Sequence, residues 1–432
     1  MGRLRAIPVI LLFTAAALAG CVGDDGAGQQ VDDPPTKATT DPAPTASPGS
    51  LPRTADEPRT VVAVIDTGAN PYHEWFQRGT SLPDDVLAQF ANSLDGQTPK
   101  RVSLSHTGDH TERVEADAET WKGLKHGTLY YFEGTNLLGI SFDEGDSNAH
   151  VVLDDAGHGS GTTGAVVAAN PDAIVVLIEG ISADSEAWAA TQSWIDLISM
   201  SYGPVGSIPG SGSIFGLTTH EATRLAWTNG KIPVGAADNT PALAPNDETA
   251  GPPWVVGVGG DHEDTKCRDH VSGTFPDVTS DFTQTLPRHD DTTELRTMSG
   301  TSFATPKTAG LYSNVLLRVR QAWDHSGSGA SDGLLAAGPD GASLTHGALR
   351  DAMNRTAYYF DFAECEAEPG SSLPVNPAAP WLQMGWGHVG DAGVQPAVDH
   401  ILGAKQAPER DAGAVSFQTA LHAYRQALWE NI

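Results

Sequence analysis

The chain has 432 residues, enough for one large α/β domain or two smaller ones. With 25 Lys and Arg against 54 Asp and Glu, its formal charge is −29, which excludes the basic surface that a nucleic-acid partner requires. Only 8 of the basic residues are lysine, a composition suited to solubility in high salt.

Arg3 and Arg5 precede an apolar run from Ile7 to Leu18 that is too short to span a bilayer, so residues 1–20 read as an export signal. The run ends Leu18-Ala19-Gly20-Cys21, which resembles the lipobox of prokaryotic lipoproteins. That resemblance implies a lipidated Cys21 as the mature N-terminus and a protein held at the cell surface, on the outer face of the cytoplasmic membrane. A plain secretory signal would release it instead. Residues 21–58 carry prolines 34, 35, 42, 44, 48, 52 and 58 among Asp, Thr, Ser and Gly, and read as a disordered tether. Cys267 and Cys365 are the other cysteines. In an oxidising compartment they are either a disulfide or two unpaired buried thiols.

The apolar run Val61 to Ile65 suits a strand of a parallel sheet covered on both faces, and it delivers Asp66-Thr67-Gly68 at its C-terminal end. An aspartic protease would need a second Asp-Thr-Gly loop, which the chain lacks. Residues 74–150 are polar and read as an insertion with short strands such as Leu129 to Phe132. His158 lies between glycines and opens a small-residue helix. Strands follow at 173–178, 196–203, 232–237 and 254–258. Helices are expected at 185–194 and at 218–229, the second with a Thr218/Glu221 capping box. Asn239 stands just beyond one of these strands, as a functional amide or as a turn asparagine. Ser302 lies in Gly300-Thr301-Ser302 before a helical pattern with Pro306 in its first turn. Residues 326–341 read as a loop, 344–357 and 403–432 as helical. The alternation predicts an α/β fold: a three-layer, doubly wound, mostly parallel sheet with helices on both faces.

Asp66, His158 and Ser302 all stand at strand or helix ends, as peptide hydrolysis by a serine requires. His158 would relay the Ser302 proton, Asp66 would orient the imidazole, and Asn239 with the Ser302 backbone N–H would receive an oxyanion. The order Asp, His, Ser and the segments Val64-Ile-Asp66-Thr-Gly68, Gly157-His158-Gly159-Ser160 and Gly300-Thr-Ser302-Phe-Ala304-Thr-Pro306 resemble those of the subtilases, the subtilisin-like serine proteases. Leu197 to Gly203, Ala236 to Asn239 and Gly385 to Val389 are similar to further family segments, so the likeness spans 59–402. An α/β-hydrolase is disfavoured, since the one Gly-x-Ser-x-Gly, Gly329 to Gly333, falls within the 326–341 loop and not between a strand and a helix.

The resemblance implies an extracytoplasmic endopeptidase acting on polypeptides as a monomer and needing no cofactor for catalysis. Ser201, Tyr202 and Gly203 would bind the substrate strand, and Ala236 and Ala237 would wall the first pocket. Structural calcium, common in the family, stays unassigned to any ligand. Three departures stand out. Asp238 precedes Asn239 where the family has glycine, Ser160-Gly161 follows the histidine motif, and 21–58 is too short for a folded prodomain. They keep a second expectation open, a catalytically silent binding or scaffold lipoprotein on the same fold.

Overall fold

In β1 (Val61–Asp66) every residue is buried, and alternate side chains enter different cores. Val62 and Val64 pack with the helices His158–Ala169 and Thr301–Trp323, whereas Val61, Ala63 and Ile65 pack with Trp188 and Ala226 on the helices Ala183–Thr191 and Thr219–Thr228. Two apolar faces on one strand require cover on both, and the result is three layers. The computed structural model describes residues 49–143, 149–203, 214–237, 239, 249–261, 275–329, 333–360 and 378–430. The export signal, Cys21, most of the tether, Asp238, Cys267 and Cys365 lie outside them.

The remaining strands are β2 (Lys100–Val102), β3 (Tyr130–Phe132), β4 (Leu137–Ser141), β5 (Ile174–Glu179), β6 (Leu197–Met200), β7 (Ile232–Ala236), β8 (Val256–Asp261) and β9 (Val278–Asp281). They form a nine-stranded sheet in the order β2-β3-β4-β5-β1-β6-β7-β8-β9. All neighbours are parallel except β3 and β4. The expected mostly parallel α/β sheet is therefore present. The 74–150 segment supplies β2, β3 and β4, which extend one flank of this sheet.

Local signals hold where the side chains alone decide. Thr218 and Glu221 form the reciprocal capping box. Differences arise where pairing depends on distant chain. The 326–341 loop contains a strand, Leu334–Ala337, because Ser343–Thr345 pairs with it. Residues 283–287 and 295–299 form an antiparallel hairpin leading into Gly300. Helix Ala412–Trp429 buries Leu421 and Trp429 in the body of the domain.

One fully buried ion pair ties the sheet to the Ser302 helix. Arg320 donates to both Asp196 oxygens, at 2.7 and 3.0 Å, and to the Arg59, Gly329 and Leu335 carbonyls. Asp196 also accepts the Val61 and Gly329 amides. Removing one partner leaves a buried charge uncompensated. Arg320→Met should cost ~3–5 kcal/mol by chemical denaturation, against under ~1 kcal/mol for Arg355→Ala at the exposed Arg355–Asp351 pair. Equal costs would contradict this account of the pair.

Candidate active site

Strands β4 and β5 lie on one side of β1, and β6 to β9 on the other. The chain thus changes direction between β1 and β6, and such switch points leave a crevice beyond the C-terminal strand ends. Asp66 ends β1, Ser201 follows β6, and Asn239 lies three residues past β7. Two helices start at the same end of the sheet, one with His158 as its first residue and one with Ser302 as its second.

Asp66 is 1% exposed. Its Oδ1 accepts the Thr67 amide at 2.8 Å and its Oδ2 the Thr162 hydroxyl at 3.0 Å. His158 Nδ1 lies 2.8 and 3.0 Å from these oxygens. An ionised carboxylate only accepts, so Nδ1 carries the hydrogen and a neutral ring keeps its lone pair on Nε2. The ring packs against Phe303, next to Ser302, at 5.4 Å between centroids, and the side chain is 36% exposed.

Asp154, 2% exposed, fixes this geometry. It accepts the Thr67 hydroxyl at 3.0 Å, the Gly157 amide at 2.8 Å and the Ser160 amide at 2.7 Å. Thr67 Oγ1 in turn accepts the Gly159 amide. The loop after β1 and the start of the His158 helix are thereby one unit. They touch so closely that a Cβ on Gly159 would lie 2.1 Å from the Gly68 carbonyl oxygen.

Ser302 and Ser201 are joined twice. Ser201 Oγ donates to the Ser302 carbonyl at 2.8 Å, and Ser302 Oγ donates to the Ser201 carbonyl at 3.3 Å. Among the described residues that carbonyl, not His158, receives the Ser302 hydroxyl. Nucleophile–base bonds often close only when substrate binds. Asn239 Oδ1 accepts the Thr301 amide at 2.8 Å and its hydroxyl at 3.0 Å. A point where a Cβ on Gly300 would sit lies 3.5 Å from Asn239 Nδ2, 3.6 Å from Asn239 Oδ1 and 3.6 Å from the Ser302 nitrogen. The Asn239 side chain and the Ser302 backbone nitrogen thus both border Gly300, whose φ of +147° suits glycine.

No family model matches the chain, and no curated protein matches it. Among solved structures it is similar to the prenylagaramide maturation protease PagA, with a TM-score of 0.43, 13% identity and coverage of 81% of this chain and 96% of that one. It is also similar to a lanthipeptide protease, with a TM-score of 0.46, 12% identity and coverage of 81% and 89%. A third is a serine-to-alanine mutant of the protease domain of PatA, with a TM-score of 0.44, 13% identity and coverage of 81% and 98%.

Of the expected substrate residues, Gly203 is exposed, and Tyr202 turns its hydroxyl onto Glu186 Oε1 at 2.8 Å. Burial, with Glu186 beside it, pushes the Tyr202 phenol far up. Ala236 and Ala237 are buried, at 5% and 0% exposure. The sequence reading had no role for Asp154, Thr67 or Thr162. Thr162 was findable, four residues after His158 on one helix face. One group of metal-capable side chains occurs among the described residues: Asp261, Asp281 and His388. An imidazole bound to Asp261 at 2.8 Å and an Asp281 paired with Lys307 do not fit calcium, which takes oxygen ligands.

Burial pushes the His158 pKa down, but the charge and hydrogen bond of Asp66, with Asp154 behind it, more than offset this, so it stands above the usual 6.5. The linked stability is present in full below about pH 6.5 and is lost as pH rises through the folded value. Titrating His158 by NMR should give a pKa above 6.5, and Asp66→Asn should bring it below, since burial then acts with less opposition. An unchanged value in Asp66→Asn would contradict the assignment of the cause.

Proposed function

We propose that the protein is a serine endopeptidase of the subtilisin-like kind, with Ser302 as nucleophile, His158 as general base and acid, and Asp66 orienting the imidazole. The observation that carries this is the Asp66–His158 pair at the C-terminal end of β1, with Ser302 in the first turn of a helix that starts at the same end of the sheet. An extended polypeptide would lie along Ser201 to Gly203, adding as a strand. Ser302 Oγ bonds to the scissile carbonyl carbon as its proton passes to His158 Nε2. The carbonyl oxygen becomes an oxyanion held by Asn239 and the Ser302 amide. Collapse breaks the C–N bond, and His158 returns the proton to the leaving amine. Water, deprotonated by His158, then cleaves the acyl ester and restores Ser302.

In this reading catalysis needs no cofactor and the enzyme works as a monomer. Cys21 carries the lipid, and the tether sets the domain at the cell surface. No helix among the described residues is long and apolar enough to cross a membrane. The second reading, a silent binding or scaffold lipoprotein, is favoured by the Ser302 hydroxyl bonding to Ser201 rather than to His158.

Hydrolysis of an unfolded, casein-like protein separates them. Ser302→Ala should abolish it, and Asn239→Ala should lower kcat ~100- to 1000-fold with little change in KM. Activity should rise with pH through a midpoint above 6.5, since only neutral His158 is a base. Wild type and Ser302→Ala equally inert, yet both retaining a bound partner, would give the scaffold reading.

A further inference from the structure

The hairpin of residues 283–287 and 295–299, which leads into Gly300, lies along the start of the His158 helix. Arg296 and Met298 are two residues apart on one strand, so they share a face, and that face meets the helix. Met298 Sδ lies 2.5 Å from where a Cβ on Gly161 would sit, and Arg296 Nη2 lies 2.8 Å from the corresponding point on Gly157. Arg296 Nη2 donates to the Gly157 carbonyl at 2.7 Å, one residue ahead of His158. Its charge is felt at the ring: after burial, Asp66 and Asp154, Arg296 is the next influence on His158, and it lowers the pKa.

No carboxylate among the described residues pairs with this guanidinium. Asp290 and Glu294 are both held by Arg288, each at 2.9 Å. Asp291 accepts the Thr293 and Glu294 amides, and Asp155 the Ala149 amide. Asp66 and Asp154 are buried and bind the donors of the His158 unit. Of the Arg296 nitrogens, Nη2 is taken by Gly157 and Nε is buried. The residue is half-buried, and Nη1 is the edge left to solvent. An arginine at the positive end of a helix dipole, with no acid of its own, is unfavourably placed until a negative group arrives.

This side of the site faces the leaving group, an assignment that rests on the serine endopeptidase reading. There the acyl part of the substrate lies along Ser201 to Gly203, and His158 hands its proton to the departing nitrogen. The segment beyond the scissile bond therefore passes His158 and the hairpin. We propose that Arg296 is a specificity residue that selects an Asp or Glu side chain at the first or second position of that leaving segment, the carboxylate accepting from Nη1. A charge-assisted hydrogen bond of this kind is stronger than a neutral one, so the acid is favoured over its amide of the same shape.

Pools of internally quenched peptides test this on the full chain. All are randomised at the four acyl-side positions, amidated at the C-terminus, and differ only in Asp, Asn or Lys at the first two leaving positions; one further Asn pool has a free C-terminus. kcat/KM for the Asp pool should exceed that for the Asn pool by at least about fivefold, and the ratio should fall toward one in high salt. Arg296→Gln, which keeps an N–H donor for the Gly157 carbonyl, should bring the ratio to about one, and Arg296→Glu should favour Lys over Asn. A general loss of activity cancels in these ratios, so a merely structural role for Arg296 would leave them unchanged. A ratio near one in the wild type, a ratio unaltered in Arg296→Gln, or a preference only for the free C-terminus would overturn the proposal. If no pool is cleaved, the endopeptidase reading fails, and fluorescence anisotropy of the same pools on Ser302→Ala protein decides the inference separately. Asp binding at least about fivefold tighter than Asn, and equal to it once Arg296→Gln is added, sustains the proposal; equal binding without that change overturns it.

Discussion

The buried carboxylate of Asp154 is the constraint on which the candidate active site rests. It joins the Thr67 hydroxyl, from the loop after β1, to the Gly157 and Ser160 amides at the start of the His158 helix. Those amides are among the donors that any helix leaves unpaired in its first turn, and a negative charge there also meets the positive end of the helix dipole. The same group therefore satisfies the helix end and sets the distance between Asp66 and His158. Because Gly159 sits against the Gly68 carbonyl, any larger side chain there would force the two segments apart. The short Asp66–His158 hydrogen bonds follow from this clamp.

The sheet gives each of its ends a distinct character. Side chains that can move protons or hold negative charge stand beyond the C-terminal ends of β1, β6 and β7, around the switch point. Tryptophans, with three arginines matched by Asp277, Asp351 and Glu430, line a cavity where β8 and β9 begin. The Thr301–Trp323 helix spans the distance between the two. Its first turn carries Ser302, and near its last turn Arg320 is locked to Asp196. Asp196 stands just ahead of β6, the strand that delivers Ser201 to Ser302, so helix and strand are held to each other at both ends. This registers Ser302 against Ser201 through rigid elements rather than through loops.

Much of this was legible in the sequence, for physical reasons. A strand buried on both faces has to be apolar throughout, which marked Val61 to Ile65 and with it the position of Asp66. Glycines on either side of His158, and the small residues around Ser302, mark places where backbone approaches backbone. What escaped were features made by pairing between distant segments. The Leu334–Ala337 strand exists because Ser343–Thr345 lies beside it, and its four apolar residues are too short a run to stand out within a glycine-rich loop. Asp154 reads as one more turn aspartate among many acids until its partners are seen.

The central claim is that Ser302 is a nucleophile activated by His158 and Asp66. It is tested most directly by treating the folded protein with a fluorophosphonate and locating the adduct by peptide mass spectrometry. The account predicts one covalent adduct, on Ser302, lost in His158→Ala and in heat-unfolded protein. Absence of that adduct across a range of salt and calcium concentrations, with the fold intact by circular dichroism, would contradict it.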